Sequence, residues 1–165
     1  AQRSRGSITS LLAVIPELAH VLEPFAAENW AHRAGIPAHL TIAGPWPSAL
    51  VPDPSAFAHV LGPPPHRLMF GGIGVLGDAV CLLPDPAPWL DEARAAAIEI
   101  VGAPDATDAN WRPHLTLARF APIEVDAVAD VGRRLPVDLP ICVVAVRLAA
   151  ATLDATGVDV RYPGH

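Results

Sequence analysis

Apolar positions along the chain switch between a period near two and a period near three to four, and the switches mark out the elements. Leu11-Leu12-Ala13-Val14-Ile15 is a continuous apolar run closed by Pro16-Glu17, a length that suits a buried strand and is too short for a membrane span. Arg3 and Arg5 precede it as basic residues precede a secretory leader, but no small-residue cleavage site follows, so a strand is the reading. Leu18, Val21, Leu22 and Phe25 then fall at helical spacing behind Pro16. Pro24 should kink that helix, which resumes through Trp30 and stops near Gly35. Residues 36–42 read as a strand, and Asp53-Pro54 opens a brief helix that ends at Gly62. Residues 68–75 and 79–83 form a hairpin around Leu76-Gly77-Asp78, although Gly71-Gly72-Ile73-Gly74 weakens the first strand.

The second part of the chain follows the same order. Leu90, Ala93, Ala97, Ile100 and Val101 give a helical stripe from Trp89 to Gly102, 112–120 reads as a strand, and 125–135 reads as a helix. The β-branched run 141–148 reads as one strand, and 158–162 follows an Ala155-Thr156-Gly157 turn to close a terminal hairpin. The order β, α, β, α, ββ, α, β, α, ββ is one pattern used twice, over 7–84 and 86–162. No Gly/Ser-rich or charged linker separates the halves, so residues 1–165 are expected to form one domain of two lobes with a cleft between them.

Composition narrows the chemistry. A formal net charge of −6 argues against a broad positive surface for long nucleic acid. All eleven basic residues are arginine, which removes lysine nucleophiles, Schiff-base chemistry and a P-loop lysine. The two cysteines, Cys81 and Cys142, are too few for a disulfide framework and lack CxxC spacing, so a reduced, cytoplasmic chain is expected.

The candidate chemistry sits in two matched segments. Ala38-His39-Leu40-Thr41-Ile42-Ala43 and Pro113-His114-Leu115-Thr116-Leu117-Ala118 repeat a His-Leu-Thr-aliphatic-Ala pattern 75 residues apart (114 − 39). On a strand, His and Thr at i and i+2 share a face, so each segment offers one imidazole and one hydroxyl to the same space. Two such strands facing each other would give a neutral histidine to take a proton, a protonated one to give it back, and hydroxyls to hold phosphate oxygens. This arrangement requires no metal and no cofactor.

These twin His-x-Thr strands resemble the motifs of the 2H phosphoesterase superfamily, particularly its 2′-5′ RNA ligase-like branch, with 112–120 the most similar segment. The resemblance implies a bilobal α+β fold, with two antiparallel sheets flanked by helices around a central cleft. It also implies metal-independent phosphodiesterase or ligase activity on a 2′,3′-cyclic phosphate or 2′-5′ diester. By the same resemblance His39 and His114 are catalytic, while Thr41, Thr116 and Arg119 bind phosphate. Strict alternation puts Arg119 on the face opposite His114, so its role requires β structure that bends or ends near Ala118. After Thr41 the pattern departs, with Ile42-Ala43-Gly44-Pro45-Trp46-Pro47 placing an aromatic later than the branch does; Trp46 is a candidate for base stacking.

The remaining histidines, His20, His32, His59, His66 and His165, share no repeated context or metal-ligand spacing and receive no role. The glycine cluster at 71–74 lacks GxGxxG spacing and precedes a strand, which excludes a dinucleotide fingerprint. The expected partner is a small nucleotide or RNA end, with neither long duplex nor membrane; the sequence is silent on oligomeric state. A catalytically silent nucleotide-binding module and a biosynthetic enzyme acting on a non-nucleotide substrate are the competing readings.

Overall fold

The computed structural model describes residues 6–107 and 110–163. Arg3, Arg5 and His165 lie outside these residues. Among the described residues, eight strands form two four-stranded antiparallel sheets: β1 (Ile8–Val14), β2 (His39–Pro47), β3 (Leu68–Leu76), β4 (Ala79–Pro84), β5 (Leu115–Arg119), β6 (Ile141–Val143), β7 (Arg147–Asp154) and β8 (Gly157–Arg161). Their orders are β2-β1-β7-β8 and β5-β4-β3-β6, so the two motif strands, β2 and β5, are each at a sheet edge. Neither sheet is built from one half of the sequence. The first takes β7 and β8 from residues 86–162, and the second takes β3 and β4 from residues 7–84.

One contiguous core links the sheets to the helices, with Leu11, Leu40, Ile42, Phe70, Leu82 and Leu117 buried together with Leu90, Ala97 and Val131. Helix α2 (Pro88–Val101) packs on β2 and ends at Gly102, whose φ of 76° is the left-handed cap the sequence pattern predicts. Helix α3 (Ala127–Arg134) packs on β3 and β4. A smaller apolar cluster of Leu12, Val14, Ile36, Ala149 and Ala151 covers the other face of the first sheet.

The helix expected after β1 and the strand expected over 141–148 both differ from expectation. The stripe Leu18, Val21, Leu22, Phe25 is buried as predicted, but Pro16–Glu28 is a succession of 3-10 turns. Leu18 with Val21 and Leu22 with Phe25 are spaced by three, which suits a backbone of three residues per turn, and Pro24 supplies no donor for an α-helical bond. Within residues 16–35, true α-helix appears only at α1 (Trp30–Arg33), capped by the Asn29 side chain accepting from the His32 N–H. The run 141–148 is two strands in different sheets, not one. Its crossing segment is pinned where Glu17 Oε1 accepts from the Val144 and Ala145 N–H groups at 3.3 and 3.0 Å. Strand β7 then continues through three alanines of low β propensity, because a central position between β1 and β8 supplies pairing on both sides.

Candidate active site

The two motif histidines are built alike. His39 opens β2, and its Nδ1 lies 2.8 Å from the Pro37 carbonyl; His114 lies one residue before β5, and its Nδ1 lies 2.7 Å from the Arg112 carbonyl. A carbonyl only accepts, so each neutral ring carries its hydrogen on Nδ1 and presents Nε2 as the basic nitrogen. Placing His114 before the strand departs from the 112–120 reading. Pro113 has no N–H for a ladder, and the Arg112 carbonyl is taken by the imidazole.

Both imidazoles line one cavity of about 210 Å³, together with Thr41, Thr116 and Arg119. The structure therefore brings five of the six candidate residues together. Burial holds the His39 imidazole below its ordinary pKa; the Pro37 carbonyl opposes this, and the nearby His114 reinforces it. Arg119 sits at the rim, half exposed, with Nη1 donating to Asp78 Oδ1 at 2.7 Å.

A bulge explains how Arg119 reaches the cavity side. Thr116 lies opposite Cys81 and Ala118 opposite Val80, so Leu117 is an extra residue on β5 and the alternation shifts by one after it. The same irregularity occurs on β2, where Thr41 lies opposite Leu12 and Ala43 opposite Leu11, leaving Ile42 as the extra residue. Both extra residues are fully buried. Gly44 thus occupies the position equivalent to Arg119. Its φ is +107°, and a Cβ there would come within 2.8 Å of Ser10 Cα, so that wall carries no second arginine and Ser10 lines the cavity instead.

Trp46 is corrected by the structure. It is 1% exposed, its Nε1 donates to the Ala103 carbonyl at 3.0 Å, and it packs in the main core away from the cavity, so it offers no face to a base. The aromatic that does line the cavity is Trp30, 51% exposed on α1, with His32 from the same turn. The sequence pattern runs the kinked helix through Trp30 and gives neither Trp30 nor His32 a role. The available signal was Asn29, an N-cap residue that interrupts the stripe and starts a new turn directly before Trp30. Among the described residues, no group of three His, Cys, Asp or Glu could hold a metal ion. No helix among them is long and apolar enough to cross a membrane.

The family model of the 2′-5′ RNA ligase superfamily matches residues 14–150, a span that includes both motifs. The chain belongs to this superfamily of 2H phosphoesterases. Its fold agrees with solved structures of LigT from E. coli. The complex with NADP+ gives a TM-score of 0.54 at 16% identity, the complex with 3′-AMP 0.52 at 15%, and the complex with ATP 0.51 at 16%. Each alignment covers 94% of this chain and 94% of LigT. Comparison with curated proteins finds no match. Superfamily membership makes the chain a phosphoesterase- or ligase-type enzyme.

Proposed function

We propose that the protein is a metal-independent phosphoesterase that opens a 2′,3′-cyclic phosphate, or cleaves a 2′-5′ diester, on a nucleotide or RNA end. The observation that carries this reading is the pair of imidazoles, each with Nδ1 bonded to the carbonyl two residues earlier, in one cavity with two threonines and an arginine. His39, held neutral by its lowered pKa, takes a proton from water at Nε2 as the water oxygen bonds to phosphorus. Protonated His114 gives a proton from Nε2 to the ribose oxygen as the P–O bond to it breaks. Thr41, Thr116 and Arg119 hold the non-bridging oxygens, where charge accumulates. Water and a cyclic diester become one monoester, or water and a 2′-5′ diester become a monoester and a free ribose hydroxyl, and the two histidines exchange roles until solvent resets them.

Substrate size follows from the cavity and the charge. A net charge of −6 suits a small nucleotide or an RNA end better than a long duplex. Trp30 offers a flat, half-exposed face to a base. Cys81 and Cys142 are both free, in keeping with a reducing, cytoplasmic setting.

The test is hydrolysis of nucleoside 2′,3′-cyclic phosphates and 2′-5′ dinucleotides with EDTA present. Turnover should persist in the chelator, and His39→Gln or His114→Gln should lower it by at least about 10²-fold. Activity that EDTA abolishes and added metal restores would rule the mechanism out.

A further inference from the structure

We propose that Asn29 and Trp111 are positioning residues, each rooted in the lead-in to one motif and holding the backbone of the other at its bulge, so that together they set the separation of the two histidines. This deepens the phosphoesterase reading and rests on it for its kinetic test. Strands β2 and β5 are the edges of different sheets and share no ladder, so ordinary pairing does not fix their spacing. Their outward carbonyls are met by side chains instead. Asn29 Nδ2 donates to the carbonyls of Thr116 and Leu117 at 3.1 and 3.0 Å, while its Oδ1 caps α1. Trp111 Nε1 donates to the Thr41 carbonyl at 3.0 Å, and Arg94 Nη1 to that of Ile42 at 3.3 Å.

The same two positions, the motif threonine and the bulge residue after it, are thus held on both strands. The bonds are also reciprocal. Asn29 lies in the chain leading to His39 and grips the strand after His114; Trp111 is three residues before His114 and grips the strand after His39. Asn29 is 3% exposed, which makes its two donated bonds difficult to replace with water. Behind Trp111 the brace is stiff. The Arg94 guanidinium lies 4.8 Å from the Trp111 ring centroid and forms a bidentate pair with Asp105, which also accepts the Gly44 N–H at 2.6 Å. An acid and a base that must each come within about 3 Å of one phosphate depend on such spacing, because a misplacement of roughly 1 Å can cost about 10²-fold in rate.

The experiment uses the full chain carrying Trp111→Phe, which keeps an aromatic ring while removing the indole donor, and Asn29→Ser, which keeps a cap acceptor and loses the reach to β5. With 2′,3′-cyclic AMP, each variant should lower kcat by about 10-fold or more while KM stays within roughly threefold. The second readout needs no activity. The titration of His39, followed by imidazole NMR, should rise toward the ordinary value in Trp111→Phe and lose its response to His114→Gln. The other titratable groups lining the cavity are His32 and Arg119, neither of which is altered by the substitution. Wild-type kcat and unchanged His39 titration in a folded Trp111→Phe protein would overturn the brace. Wild-type protein inert on every cyclic phosphate and every 2′-5′ dinucleotide would instead remove the proposed phosphoesterase reading, with the brace then decided by the titration alone. Should Asn29→Ser fail to fold, Trp111→Phe carries the test.

Discussion

The His39 imidazole shows how one residue ties fold to chemistry. Its pKa is lowered chiefly by burial, so the native state resists the proton that the unfolded chain accepts. The unfolded state therefore binds more protons below the ordinary imidazole range. The contribution is fully present above that range and is lost as pH falls through the lowered native value. His39→Gln should accordingly flatten the loss of stability as pH falls below the ordinary imidazole value, as measured by denaturant unfolding. Thr41→Val and Thr116→Val should each remove about 1–3 kcal/mol of transition-state stabilisation while leaving the shape of the pH profile intact, because in the proposed mechanism their hydroxyls hold phosphate and do not titrate. Arg119 is shared between Asp78 and the cavity rim. Exposed pairs of this kind are worth about 0.2–1 kcal/mol, so Asp78→Asn should tighten inorganic phosphate binding by no more than about fivefold, measured by calorimetry.

At the scale of elements, the motif strands were legible because His-x-Thr repeats within a repeated order of elements. The rest of the cavity was not. Trp46 and Trp30 are both tryptophans near a motif, and spacing alone favours the one that follows Thr41. What buries Trp46 is the Ala103 carbonyl and the core under β2, contacts from residues far away in sequence. Trp30 is turned out by a 3-10 run and a capped single turn, which hydrophobic spacing cannot distinguish from a kinked α-helix. The sequence calls for a bend or end near Ala118 only as a condition on Arg119 and carries no sign of the bulge at Ile42, since a bulge appears in the partner strand's register and not in its own residues. The first bulge also depends on Gly44. Gly44→Ala would place a methyl against Ser10 in the left-handed region, and should cost about 1–3 kcal/mol in thermal unfolding.

For the whole molecule, the two antiparallel sheets that the family resemblance implies are present, but the halves 7–84 and 86–162 do not each build one of them, because which strands share a sheet is a long-range outcome. Strand β7 leaves the run 141–148 to enter the sheet of β1 and β2, and this exchange leaves the two motif strands at facing edges. Edge position is what frees their carbonyls for Asn29, Trp111 and Arg94 and opens both motifs to one cavity. The central claim is that two histidines in opposite protonation states carry the reaction. The most direct test is kcat/KM for a nucleoside 2′,3′-cyclic phosphate across pH with EDTA present. The account predicts a bell whose acid limb lies below the ordinary imidazole value and disappears in His39→Gln. A profile that keeps both limbs in His39→Gln, or that requires metal at every pH, would contradict it.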